Sequence, residues 1–251
     1  MALQSSGLIT LAQVQTEFGG ANPISMSEYY RNGAYTTVNN GNVPTSGTIS
    51  LGNFYGAVKA RYIVYELIGA GGAGGYGLAD NAGSGRGASG TASSITGSAI
   101  TNVSAAGGLG GWNALYGANQ YTFRTGASTK FGSGGAGGVT VSSDSEMWQA
   151  VGGHAPAASY GAGGGGAGGD LKQPGFDSEG NSGGGGAAGT LRSSNFGYLV
   201  PGTTLSVTIG TKGSGAGGDA RGGNGANGFA RIRADGGDWT NFTSSGTYLV
   251  P

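Results

Sequence analysis

Three kinds of hydrophobic pattern follow one another along the chain. In the first sixty residues, apolar positions fall at helical spacing. Leu11, Val14 and Phe18 share one face, and Thr10 with Gln13 forms a capping box S/T-x-x-E/Q ahead of them. Ser25 with Glu28 repeats that box before Tyr29 and Tyr30. Gly19-Gly20 and Asn32-Gly33 close the two stretches. Residues 48–51 and Phe54-Tyr55 supply a further short extended or helical piece. The second pattern is β. Residues 61–68, RYIVYELI, are rich in β-branched and aromatic side chains, and 204–209 and 229–233 alternate apolar with polar. The third pattern is neither helical nor β. Glycine blocks at 69–77, 83–90, 107–111, 132–138, 161–169, 183–189, 213–218 and 222–228 lie between the strands.

The blocks have a rhythm of three. Ala70, Ala73 and Tyr76 are spaced by three with glycine elsewhere in 69–77. Ala106, Leu109 and Trp112 repeat this, as do Ser133, Ala136 and Val139. Three residues per turn is the polyproline-II period. Such a helix makes no internal hydrogen bonds, so its backbone groups need partners on neighbouring helices, and bare glycine ridges allow that approach. A flexible linker would account for one or two blocks but not for eight with side chains held in register. The expected fold is therefore mostly irregular and β: a packed lattice of glycine-rich polyproline-II helices framed by a few strands, with a small helical module in front. Gly71, Gly74, Gly135, Gly164, Gly185 and Gly225 are expected interior ridge positions. A block of 7–9 residues would span about 20–28 Å at about 3.1 Å per residue.

Composition sharpens this. Glycine supplies 60 of 251 residues, and Leu, Ile, Val and Phe together only 42. That is below the roughly 20% at which ordinary cores become hard to build, which argues against a conventional doubly wound enzyme. Collagen is excluded because glycine does not recur at every third residue throughout. There is no cysteine, so no disulfide or thiolate metal site. Twelve basic and twelve acidic side chains cancel, which argues against nucleic acid as a partner. No transmembrane run and no secretory signal is present, so synthesis in a cytoplasm is expected.

Motifs of chemistry are sparse. Gly69, Gly71 and Gly74 match G-x-G-x-x-G after a strand, but no helix and no second strand ending in an acid follow. The lone histidine, His154, has no partner set for a metal. Asp144 with Glu146, and Asp177 with Glu179, read as solvated loop charges. No catalytic residue, metal or cofactor is expected. The segments between blocks are richer: Trp112, Tyr116, Tyr121, Phe123, Arg124 and Lys130 lie in 112–131, Trp148 and His154 in 139–160, Phe176 in 170–182, and Phe196 and Tyr198 in 190–198. Aromatics and cations among Gly, Ser and Asn have the character of paratopes, rigid contact area beside adaptable polar groups. They are the expected receptor-binding residues, with covering of the lattice as the competing role for some.

Blocks such as GAGGAGGYG, GSGGAGG and GAGGGGAGG, framed by strands, resemble those of the receptor-recognising adhesins at the long-tail-fibre tips of T-even-type bacteriophages. The resemblance covers about residues 61–235. It implies a polyproline-II sandwich whose intervening segments contact the bacterial surface. The stretch from Val200 through GSGAGGDARGGNGANGFARIR also resembles a wider glycine-rich domain, found in other phage proteins and in the anaplastic lymphoma kinase ectodomain. LITLAQVQTEFGGANPISMSEYYR is similar to a module of other phage tail proteins. The resemblance implies a fibre-docking module at 1–60 and a receptor-binding domain at 61–251. The expected partners are a distal tail-fibre protein, trimeric or not, and a bacterial surface protein or lipopolysaccharide. The expected location is the virion, at the fibre tip. A structural cap without a receptor role is the alternative reading, and a surface polysaccharide hydrolase the weakest, since no acid pair is convincingly placed.

Overall fold

A computed structural model describes residues 2–75, 86–111, 126–135, 154–156, 159–164, 185–215 and 222–251. Among the described residues the protein is mostly β and irregular: two four-stranded antiparallel sheets and one α-helix. No described helix is long and apolar enough to cross a membrane.

The helix α1 (Leu11–Phe18) starts at Thr10, whose side chain accepts from the Gln13 backbone while the Gln13 side chain accepts from the Thr10 backbone. Gly19 ends it at φ +89°, a conformation that favours glycine. At Ser25 the expected helix is a single 3-10 turn, Met26–Tyr29, and the Ser25 side chain accepts from Ser27 rather than from a reciprocal partner. A second 3-10 turn spans Leu51–Phe54. Val14, Phe18, Tyr29, Val43 and Phe54 are fully buried together. Phe18 and Tyr29 each meet the Phe54 ring edge-on, at 6.1 and 6.3 Å. Burying each such side chain contributes about 1.5–3 kcal/mol.

The first sheet orders its strands β4 (Leu191–Leu199), β1 (Arg61–Ile68), β6 (Phe229–Ala234), β7 (Thr240–Phe242). The second orders β3 (Val103–Ala105), β2 (Ser93–Thr96), β5 (Thr204–Thr208), β8 (Gly246–Leu249). Ile63, Tyr65, Leu67, Ala230 and Ile232 of the first meet Ile95, Ala105, Leu205, Val207 and Tyr248 of the second in one buried cluster. Alternation along β1, β5 and β6 decides this: odd positions of β1 face inward, and Tyr62, Val64 and Glu66 face outward. Residues 190–198 are expected as loop, but Leu191–Leu199 form β4. Its burial is confined to the far end, so the sequence carries no apolar alternation there, and pairing with β1 along its length supplies the order.

Six of these strands run directly into glycine-rich segments. β1 continues as 69–75, β3 as 106–111 and β5 as 210–215, while 86–91, 185–190 and 222–228 lead into β2, β4 and β6. Residues 69–75 lie at the centre. Their N–H groups visit three neighbours in turn. Gly69 and Gly72 donate to Thr190 and Ala187, Ala70 and Ala73 to Thr91 and Ala88, and Gly71 and Gly74 to Ala226 and Gly223. The recurrence is every third residue. Their carbonyls accept from three others: Ala70 and Ala73 from Gly108 and Gly111, Gly71 from Gly213, and Gly72 from Gly164.

The surrounding segments also bond to one another, and the ring closes. Gly90 donates to Gly108, Thr190 to Ala106, Gly189 to Gly161, Ala226 to Ala162, Gly228 to Gly210, and Thr91 to Thr211. Around 69–75 the order is thus 86–91, 106–111, 185–190, 161–164, 222–228, 210–215.

Close approach requires glycine here. A Cβ on Gly71 would lie 1.9 Å from the Ala162 oxygen, and one on Gly72 2.1 Å from the Leu109 oxygen. At Gly164 and Gly225 the clashes would be at 2.0 and 2.2 Å, again with backbone oxygens. None of these four glycines has a positive φ. What they need is the missing side chain, whose direction is taken by a Cα–H aimed at a carbonyl, worth about 0.5–1 kcal/mol each. Gly74 is buried and donates to Gly223, and Gly135 is buried and donates to Gly163. Gly185 is only half-buried.

Candidate functional site

The outer face of the first sheet gathers a cluster of aromatic and charged side chains. β1 contributes Tyr62, Val64 and Glu66. β6 contributes Phe229, Arg231 and Arg233, which alternate with the inward Ala230 and Ile232. Antiparallel register sets Glu66 opposite Arg231 and Val64 opposite Arg233. At the far end of β6, Asp235 turns the chain at φ +49°. Its carboxylate accepts from the Tyr62 backbone at 2.7 Å and from Arg61 at 3.0 Å.

Residues 126–135 and 159–161 cover the upper half of this face. The Phe131 and Tyr160 rings lie 5.0 and 4.6 Å from that of Phe229, the second pair stacked. Lys130 Nζ donates to Glu66 Oε1 at 2.6 Å, and Arg231 Nε to Glu66 Oε2 at 2.7 Å. Glu66 is only 8% exposed. Burial pushes its carboxyl upward, but the hydrogen bonds and charges of Lys130 and Arg231 outweigh burial and hold it below the ordinary range. Cations and rings then alternate across the sheet. The Arg231 guanidinium lies 5.5 Å from the Phe131 centroid and 4.4 Å from that of Trp239, and Arg233 lies 4.6 Å from Trp239. The lower half, toward Asp235, is open: Tyr62 and Tyr198, in ring contact at 5.3 Å, are 37% and 53% exposed.

Four residues expected to touch a receptor can be placed. Lys130 is half in solvent, but its ammonium bonds Glu66. Phe196 stacks on Tyr65 at 4.4 Å and packs against the sandwich core. Tyr198 stands exposed on β4. His154 is exposed, and its Nδ1 accepts from the Asn224 backbone at 2.9 Å, tying 154–156 to the segment 222–228. Trp112, Tyr116, Tyr121, Phe123, Arg124, Trp148 and Phe176 lie outside the described residues.

No family model, curated protein or solved structure matches this chain. Chemical reading therefore rests on geometry. The N–H groups of Gly69, Gly71 and Gly74 are all taken by protein carbonyls, so this G-x-G-x-x-G has no free donor for a phosphate. Among the described residues, no group of three or more His, Cys, Asp or Glu could hold a metal ion. A shallow pocket in the amino-terminal module is lined by Asn39, Asn40, Asn42, Asn53 and Tyr55. Its asparagines serve the fold: Asn40 bonds the Val58 main chain at 2.8 and 2.9 Å, and Asn53 donates to Asn42.

Sequence reasoning missed Glu66, Arg231, Arg233 and Trp239. A signal existed. Glu66 is the one acid in an apolar strand, and Arg231 and Arg233 flank Ile232 at the spacing that puts both cations on one face.

Proposed function

We propose that this protein is a non-enzymatic adhesin at the tip of a bacteriophage tail fibre. It would bind an outer-membrane protein or glycan of the bacterial surface and set host range. The glycine segments form a packed polyproline-II lattice in this reading, and the three-residue recurrence of hydrogen-bond partners around 69–75 supports it. Residues 1–60 would dock onto the distal fibre protein.

One observation carries the binding role. The segments leaving β1, β3 and β5 run to Gly75, Gly111 and Gly215, and those returning to β2, β4 and β6 begin at Arg86, Gly185 and Gly222. All six of these positions belong to the end of the bundle away from the sandwich. Gly111 leads into the stretch that carries Trp112, Tyr116, Tyr121, Phe123 and Arg124, and Gly185 follows the stretch that carries Phe176, while Trp148 falls between Gly135 and His154. A scaffold hydrogen-bonded on every side holds its attachment points fixed, which limits the entropy lost when a receptor binds.

The test pairs stability with adsorption. Tyr121→Ala, Phe123→Ala and Trp148→Ala are measured for melting and for binding of purified protein to susceptible bacteria. A binding anchor loses about 2 kcal/mol, roughly thirtyfold in affinity, with melting unchanged. Full adsorption by all three folded variants overturns this assignment of the receptor surface. Failure of the wild-type protein to adsorb to any susceptible strain favours the structural cap.

A further inference from the structure

We propose that the open half of the first sheet's outer face binds an acidic saccharide, a pyranose carrying a carboxylate, sulfate or phosphate. Its surface is formed by Tyr62, Val64, Asn195, Tyr198, Arg233 and Trp239. This inference does not rest on the adhesin reading, because it concerns strands rather than the connecting stretches.

Shape is the first argument. Tyr198 and Asn195 on β4 pair with Tyr62 and Val64 on β1, and Val64 pairs with Arg233 on β6. Three strands at about 4.8 Å spacing make a flat platform roughly 10 Å wide, about the length of a disaccharide. Exposed tyrosine rings offer apolar faces to the C–H side of a sugar ring and hydroxyls to its rim. Asn195 Oδ1 accepts from Gly197 at 3.0 Å, which fixes the amide beside the rings and leaves its NH₂ to donate.

Charge is the second argument. Lys130, Arg231 and Arg233 share this face with one buried carboxylate, Glu66, which Lys130 and Arg231 occupy. Arg233 is half-buried, and its Nε is enclosed without a hydrogen-bond acceptor. Among the described residues no carboxylate forms an ion pair with it. Asp235 is turned to Arg61, and the exposed Asp238 makes no ion pair with Arg233. Trp239 holds the guanidinium against its ring. Trp239 thus sets the plane of the guanidinium, and among the described residues no carboxylate answers its charge. A bound anion answers it through paired N–H groups, a geometry that suits carboxylate, sulfate and phosphate alike. A neutral sugar would leave the cation as it is.

Calorimetric titration of the full chain tests this with oligogalacturonate, a heparin-derived tetrasaccharide and mannose 6-phosphate, using cellotetraose as the neutral control. At least one acidic probe should bind in the roughly millimolar range or tighter, weaken with added salt and exceed cellotetraose about tenfold. Arg233→Gln should weaken that binding about tenfold and Tyr198→Ala about fivefold. Lys212→Gln, which removes an exposed cation elsewhere, should change nothing. Should Arg233→Gln fail to fold, Arg233→Lys keeps the charge and loses the planar fork, and it should weaken binding likewise. The proposal is overturned if no acidic probe binds, if cellotetraose binds equally well, or if Lys212→Gln matches the Arg233 variant. Adsorption defects at Tyr121, Phe123 or Trp148 would stand unaffected by any of these results.

Discussion

The same chain segments pack in two different ways on either side of Ile68. Below it, the sheets meet through side chains. Hydrogen bonds run within each sheet, and Leu67, Ile95, Leu205 and Ile232 fill the space between, as in sandwiches whose sheets lie about 10 Å apart. Above it, strands give way to glycine-rich segments, and hydrogen bonds radiate to every neighbour. The interior there contains main chain plus the methyl groups of Ala70, Ala73 and Ala162, all fully buried. A shortage of large apolar residues is therefore compatible with an ordered interior, because backbone groups satisfy one another where side chains would otherwise exclude water. Glycine's entropy cost on ordering is offset by this dense bonding. The two regions should consequently fail in opposite ways: the sandwich when atoms are removed, the bundle when they are added.

The strongest break of that contrast is a single added methyl. Gly72→Ala places a Cβ 2.1 Å from the Leu109 oxygen, on a backbone pinned by hydrogen bonds to Ala187 and Gly164. The bundle has no flexible side chain there to give way, so the loss should be about 4 kcal/mol or more, read by thermal or urea unfolding. An alanine variant that melts like wild type would mean that the bundle tolerates expansion and that its glycines are not packing positions.

The converse change tests the sandwich. Leu67→Ala removes a fully buried side chain from the shared core and should cost about 3 kcal/mol through lost burial and the cavity left behind. Unfolding followed separately in the two regions, by hydrogen exchange at amides of β1 and of 69–75, shows whether they melt as one unit. Simultaneous loss of protection is expected, since β1 and the central segment are one continuous stretch.

Much of the sandwich is legible in the sequence. RYIVYELI reads as a strand over the residues that form β1, and the alternation at 204–209 and 229–233 marks β5 and β6. The Thr10 cap is legible because its partner lies three residues away. β4 is not legible, because an exposed edge strand needs no apolar alternation: LRSSNFGYL is ordered by its neighbour. The three-residue spacing of Ala70 and Ala73 is visible, but which segments surround them is not, since every glycine block offers the same backbone. The Glu66 cluster was hidden for a related reason. It joins residues 66, 130, 231 and 239, and no local pattern links them.

That cluster ties the two regions together, and Glu66→Gln sharpens how much the tie contributes. Lys130 comes from the segment covering the bundle side, Arg231 from the sandwich, and both bond one carboxylate. Lys130 and Arg231 retain access to water at 41% and 28% exposure, so screening reduces the effect, and a loss of about 1–2 kcal/mol is expected. The sign with pH follows from the lowered carboxyl. The ionised form is favoured in the folded state, so its contribution is full above the unfolded value near 4.3 and disappears as pH falls through the folded value beneath it. The melting difference between wild type and Glu66→Gln should be constant above about pH 5.5 and shrink below about pH 4. A difference that grows on acidification would mean that burial, rather than the two cations, governs this carboxyl.

The smallest effect is also the one with reversed sign, and it separates glycine as a residue type from glycine as a packing position. Gly41 lies on the surface of the amino-terminal module, with nothing within 4 Å of the place a Cβ would take. Its φ is not in the positive range, so an alanine fits without backbone strain. Replacement removes conformational freedom from the unfolded chain and creates no clash in the folded one. Gly41→Ala should therefore stabilise the protein by about 0.4–1 kcal/mol, a small rise in melting temperature. Gly72→Ala makes the same chemical change, with the same gain against the unfolded chain, yet is expected to be strongly destabilising. The difference between the two variants measures the clash alone, because the unfolded-state contribution is common to both. If the two shift stability by similar amounts, the carbonyl oxygens around Gly72 yield easily, and an interior built from main chain is as forgiving of an added methyl as open surface.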